Sequence, residues 1–131
     1  GWPERVIMHC FSGDAELAGE CVRHGAWLSF PGVLTFKNAE RTRQALHATP
    51  VDKILVETDA PFLTPHPRRG KRNGPYLIAH TIRFLSEQLD WDEASCCEQL
   101  RRNTLAAYGG PWEDVHGVTP LQLPASGEET R

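Results

Sequence analysis

Three short apolar runs, at residues 6–8, 26–30 and 54–56, constrain the fold more than anything else in this chain. They are rich in β-branched and aromatic residues and lack the polar alternation of a half-wet strand, so each reads as a strand buried on both faces. Helical patterns lie between them. The first, residues 14–24, opens at Asp14, a natural N-cap after Gly13, and closes at Gly25, where a left-handed residue ends a helix without steric cost. The second, residues 37–48, is stopped by Pro50. Strand, helix, strand, helix, strand at this spacing is the rhythm of right-handed parallel crossovers, which leaves a doubly wound open sheet and a (β/α) barrel as the two architectures.

After the third strand come Pro61, Pro65, Pro67, Gly70, Gly74 and Pro75, a density of breakers that makes a long loop. Pro75 then suits the first turn of a helix running to about Asp90, and Asp92 caps another that reaches Tyr108 and stops at Gly109-Gly110. Beyond that, Pro111, Pro120 and Pro124 interrupt a polar stretch without period, so residues 1–109 are expected to form the domain and 110–131 a disordered tail. The chain begins at Gly1 and enters an apolar run within five residues, which suggests a start part-way through a larger fold.

Of 131 residues, 40% are apolar and 24% charged, the balance of a globular domain. No stretch approaches the roughly 18 consecutive apolar residues of a membrane span, and no apolar leader is visible, so the expected location is cytoplasmic, with no membrane partner. Cys10, Cys21, Cys96 and Cys97 form no zinc-finger spacing, and the adjacent pair points two ways on a helix, which fits reduced thiols. A net charge of −3 argues against a protein that coats nucleic acid. Its distribution is more informative: Arg68, Arg69, Lys71 and Arg72 crowd one loop without an acid, which makes a local anion site.

His9 ends the first strand and Asp59 follows the third, both at the carboxyl edge where α/β folds bind ligands. Period-two geometry puts Glu57 on the same face as Asp59, one layer deeper. Carboxylates beside a dry strand cost several kcal/mol unless a cation meets them, which a divalent metal would do. The plainer alternatives are a core histidine bonded to a carbonyl, an ion pair from Asp59 to Arg69 or Arg72, and a basic loop that is simply solvated.

The runs His9-Cys10-Phe11-Ser12-Gly13, Leu28-Ser29-Phe30-Pro31-Gly32-Val33-Leu34-Thr35-Phe36-Lys37-Asn38 and Leu55-Val56-Glu57-Thr58-Asp59-Ala60-Pro61-Phe62-Leu63, with Arg69-Gly70-Lys71-Arg72-Asn73, closely resemble the TatD family. The resemblance implies the C-terminal portion of a (β/α)8 TIM barrel of the metal-dependent hydrolase type, with strands six to eight present. It implies an exonuclease-type deoxyribonuclease that hydrolyses DNA phosphodiesters with one or two divalent ions (Mg, Mn or Zn). On that reading His9 and Asp59 bind metal, Asp59 also helps to activate the attacking water, and Glu57 supports the ligands. Ser12, Arg69 and Arg72 are weaker candidates for substrate contacts.

The family's upstream ligands, a His-x-His pair, a glutamate and a further histidine, have no counterpart here, so the isolated fragment is expected to show little or no nuclease activity. Arg68 and Gly74 also depart from the family, which often has an aromatic or histidine and an acid there. A C–N bond hydrolase of the amidohydrolase kind, and a non-catalytic fragment with an anion-binding loop, are the other readings. His24, His47, His66, His80 and His116 are read as structural or solvent-facing, and Trp2, Trp27, Trp91 and Trp112 as packing residues.

Overall fold

The computed structural model of the protein describes residues 1–109, so the tail expected at 110–131, with His116 and Trp112, lies outside the described residues. Strands β1 (Ile7–Met8), β2 (Trp27–Phe30) and β3 (Ile54–Val56) form one parallel sheet in the order β1-β2-β3. Met8 lies opposite Leu28, and Leu28 in turn opposite Ile54. The first two strands are shorter than their apolar runs. Val6 contributes only its carbonyl, which accepts from the Trp27 N–H at 2.9 Å. The ladder continues past the strand ends, from Phe11 N–H to the Ser29 carbonyl and from Glu57 N–H to the Phe30 carbonyl, so the residues that follow β1 and β3 leave the sheet in fixed directions.

Helix α1 (Ala15–Arg23) starts where the Asp14 carboxylate accepts from the Leu17 N–H at 2.9 Å, and it ends before Gly25 at φ +84°. Helix α2 (Glu40–Ala48) starts three residues later than the pattern predicts. The cause lies upstream. Gly32–Thr35 winds into a 3₁₀ turn, Phe36 is extended, and the Arg43 guanidinium donates to the carbonyls of Leu34 and Phe36, which pins the approach in a non-helical path. Pro75–Leu77 likewise forms a 3₁₀ turn before α3 (Ile78–Gln88). Asp92 caps α4 (Glu93–Tyr108) by accepting from the Ser95 N–H, and Gly109 at φ +63° ends it.

Leu28, Phe30 and Ile54 are fully buried in one cluster with Ala18 and Cys21 of α1, Leu46 of α2, Leu85 of α3, and Cys96 and Leu100 of α4. Each large side chain there contributes about 1.5–3 kcal/mol through removal from water. Asn103 joins α4 to β3: its amide donates to the Val51 and Ile54 carbonyls at 2.7 Å each, and its oxygen accepts from Gln99. On the other side, Ile7, His9, Ser29, Leu55 and Glu57 line an open hollow of about 420 Å³. The alternation along β1 and β3 puts Ile7 with His9, and Leu55 with Glu57, on the hollow's side, so the polar groups stand at its carboxyl edge above an apolar stretch of sheet. Among the described residues no helix is long and apolar enough to cross a membrane. All four cysteines are free thiols.

Candidate metal centre

His9 and Cys10 leave β1 while Glu57 to Asp59 leave β3, with β2 between them. Both exits turn through left-handed backbone, Cys10 at φ 48° and Asp59 at φ 55°. Aspartate tolerates that region better than most residues, whereas cysteine does not favour it, and strained residues of this kind gather at functional sites. The turns bring the imidazole across the edge of β2 to the two carboxylates.

Glu57 Oε2 accepts from His9 Nδ1 at 2.9 Å and from the Cys10 backbone N–H at 3.1 Å. With Nδ1 turned to Glu57, the ring points Nε2 at Asp59 Oδ1, 3.8 Å away. Exposure grades with depth: the His9 side chain is 70% accessible, Asp59 34% and Glu57 14%. One donor atom from each of the three lies within 4.8 Å of the others. Glu57 Oε1 is buried with no hydrogen-bond partner. Two carboxylates and an imidazole, with one buried oxygen unsatisfied, are a donor set that a divalent cation fits, because the cation offsets the cost of burying the charge. The same negative field acts on Cys10, whose thiol pKa is raised by burial first and then by Glu57 and Asp59.

The ion pair weighed for Asp59 with Arg69 or Arg72 does not form; its partner is His9. Arg69 is occupied elsewhere: its guanidinium donates to the Thr64 carbonyl at 3.0 Å and stacks 3.9 Å from the centre of the Phe36 ring. Arg69 thus holds the loop to the segment after β2. Arg68, Lys71 and Arg72 are exposed, and so is Ser12 in the turn between β1 and α1. Among the described residues no hydrogen bond or ion pair ties any of them to His9, Glu57 or Asp59.

Two residues matter to the site in ways that the sequence reading missed. A Cβ at Gly32 would collide with the Leu63 carbonyl and crowd Pro65, so glycine there allows the 3₁₀ turn to pack against the loop after Asp59. Asn73, 6% exposed, folds back under the Asp59 turn and bonds it at both ends. The Gly-rich, basic character of its neighbours signals a surface loop, and only Pro61, Pro65, Pro67 and Pro75 hint that this loop is ordered. Of the other histidines, His24 stacks on Trp2 at 4.4 Å, His47 meets Gln88, and His66 stands edge-on to Phe36. Trp27 lies under the Lys53 ammonium and Trp91 packs on the core, while Trp2 is 46% exposed.

Imidazole and carboxylate donors that converge at the carboxyl edge of a parallel α/β sheet are the arrangement of a metal-binding α/β protein. The family profile described as TatD related DNase matches residues 1–109, and the chain belongs to the TatD family of metal-dependent hydrolases. It is 44% identical over 112 residues to the uncharacterized metal-dependent hydrolase TatD of Mycobacterium tuberculosis, covering 86% of this chain and 42% of that protein. It is 49% identical over 81 residues to the uncharacterized metal-dependent hydrolase YabD of Bacillus subtilis, covering 62% of this chain and 32% of that protein. The chain therefore spans less than half the length of these relatives. Among solved structures, the TatD homolog YJJV of Escherichia coli superposes with a TM-score of 0.73 at 28% identity, over 80% of this chain and 40% of that one. A TatD family hydrolase from Entamoeba histolytica shares the fold, with a TM-score of 0.67 at 14% identity, over 77% of this chain and 41% of that one.

Proposed function

We propose that this chain supplies strands six to eight of a TatD-type (β/α)8 barrel whose metal centre hydrolyses DNA phosphodiesters as an exonuclease. The observation that carries the reading is the convergence of His9, Glu57 and Asp59 within 4.8 Å, beside a loop that presents Arg68, Lys71 and Arg72 to solvent. Phosphate is the anion that such a loop suits, because guanidinium groups grip its oxygens in pairs. His9 through Nε2 and Asp59 through a carboxylate oxygen would hold one or two divalent ions, Mg, Mn or Zn. Glu57 fixes the ring through Nδ1 and leaves Nε2 facing Asp59.

A divalent ion held there supplies Lewis-acid stabilisation of charge on a phosphoryl oxygen. On this reading Asp59 accepts the proton of an attacking water, and the exposed cations bind the adjoining phosphates. Arg72 is the cleaner phosphate contact, since Arg69 is committed to Thr64 and Phe36. Ser12 lies on the same rim as a further contact. The four free thiols favour a reducing compartment, in keeping with a cytoplasmic enzyme.

The test is end-labelled DNA, single-stranded and duplex, incubated with the natural full-length protein after metal removal and reloading. His9→Ala and Asp59→Asn are each expected to cut the rate by at least about 10²-fold, in line with loss of a metal ligand or proton acceptor. Arg72→Ala is expected to raise KM with the fold unchanged. Wild-type cleavage that survives both ligand substitutions would refute the centre. Unaltered DNA kinetics in the Arg72 variant, together with turnover of amide substrates, would favour the C–N hydrolase reading instead.

A further inference from the structure

We infer that Asn73 is a positioning residue for the metal centre: it holds Asp59 in the left-handed turn that aims its carboxylate at His9. This inference rests on the metal-centre reading above. Asp59 sits at φ 55°, a conformation that costs an L-residue energy and persists only where the surroundings over-determine it. The Phe62 N–H closes the turn on the Asp59 carbonyl at 2.9 Å. Asn73 then binds both ends of the turn from beneath. Its side-chain amide donates to the Thr58 carbonyl at 2.8 Å, immediately before Asp59, and to the Phe62 carbonyl at 2.6 Å, three residues after it. Its backbone N–H donates to the Pro61 carbonyl at 3.2 Å, and its own side-chain oxygen accepts from the Gly74 N–H at 2.9 Å.

Every polar atom that this side chain offers is thus used, with the residue 6% exposed. Both amide protons go to the turn, so the two carbonyls flanking Asp59 are held one hydrogen-bond length from a single nitrogen. The 58–62 segment is otherwise thinly tied, the Thr58 hydroxyl accepting from the Ala60 N–H at 3.3 Å. Without the Asn73 amide, two carbonyls lose their donor, and Asp59 is free to relax toward negative φ. That rotation turns Cα–Cβ and carries the carboxylate away from Nε2, while His9 and Glu57 stay bound to each other through Nδ1 and the Cys10 N–H. The consequence is selective: the centre loses Asp59 and keeps its other two donors.

The experiment measures Mn²⁺ affinity of the metal-stripped, natural full-length protein by calorimetry, alongside Tm. Asn73→Asp keeps the shape and the acceptor for Gly74 but sets a carboxylate oxygen, which repels both carbonyls, where the two donors stood; despite the added negative charge it is expected to weaken Mn²⁺ binding about tenfold or more, the usual scale for residues that orient ligands. Asn73→Gln, with the same amide on a longer arm, is expected to recover part of that loss. Thr64→Val serves as the control, since its hydroxyl donates to the Lys71 carbonyl at 2.7 Å in the same loop without touching the Asp59 turn. It is expected to lower Tm and leave Mn²⁺ affinity unchanged.

An Asn73 variant that folds and binds Mn²⁺ like wild type overturns the proposal, whatever happens to Tm, and equal weakening by Thr64→Val does so as well by showing a general loop effect. If His9→Ala leaves Mn²⁺ binding intact, the metal-centre reading itself fails, and the role of Asn73 fails with it.

Discussion

Among single side chains, the thiols show how burial selects a charge state. Cys96 on α4 is 1% exposed, and its pKa is pushed from 9.0 up to about 11 by burial first, then by Cys97, Glu93 and Asp92. Cys10, Cys21 and Cys97 are shifted upward too, with burial the largest cause in each. A thiol whose folded pKa lies above its unfolded value contributes stability that is fully present below the unfolded pKa and is lost as pH rises through the folded one. For Cys96 the window is pH 9 to about 11. We therefore expect Tm to fall between those limits, and Cys96→Ala to flatten part of that fall; an unchanged alkaline slope would remove Cys96 from the account. The same shifts predict slow alkylation of all four thiols at pH 8 while the protein is folded and rapid alkylation in denaturant, since the thiolate is the reactive form. His9 and Asp59 were visible at this scale because strand ends are legible. The engagement of Arg69 with a ring more than thirty residues away was not, because a cation in a Gly-Pro loop carries no sign of its partner.

Elements were legible where local chemistry decides them. Asp14 and Asp92 are N-caps as expected, and each carboxyl pKa is held below its usual range: for Asp14 by the Leu17 N–H, for Asp92 by the Ser95 hydroxyl and then its N–H. Gly25 and Gly109 adopt the positive φ that ends a helix. The start of α2 escaped because it is set at a distance, by Arg43 reaching back to the carbonyls of Leu34 and Phe36 and by the contact of Gly32 with the loop after Asp59. Asn103 belongs to the same hidden class. Its position in a helical run gives no hint that it donates to the carbonyls of Val51, in the 3₁₀ turn before β3, and of Ile54, the strand's first residue. Asn103→Leu keeps the volume and strands those carbonyls, so a loss of about 2–3 kcal/mol in unfolding free energy is expected from denaturant titration of the full-length protein. A change below about 0.5 kcal/mol would mean that solvent reaches those carbonyls in the native state.

For the molecule as a whole, the decisive fact is that β1 and β3 each keep one side of the ladder unpaired among the described residues, with the metal-binding face open to a hollow of about 420 Å³. Three protein donors leave much of a divalent ion's coordination shell to water, since Mg²⁺ takes six ligands, and in-line phosphoryl displacement often employs two ions a few ångströms apart. The relatives are more than twice as long as the matched segment, which covers 42% of one and 32% of another. A site assembled from this chain's donors alone should therefore hold a cation weakly and leave phosphate unclamped on the far side. The prediction is that these 131 residues by themselves show no magnesium-dependent DNA cleavage above background. Ion binding and catalysis separate here. Weak Mn²⁺ binding lost in His9→Ala would show that the three donors converge as described, while cleavage stays absent because a bound ion without opposing ligands does not hold the attacking and leaving oxygens in line. Robust cleavage by the 131 residues, abolished by His9→Ala, would show instead that one imidazole and two carboxylates suffice for the chemistry.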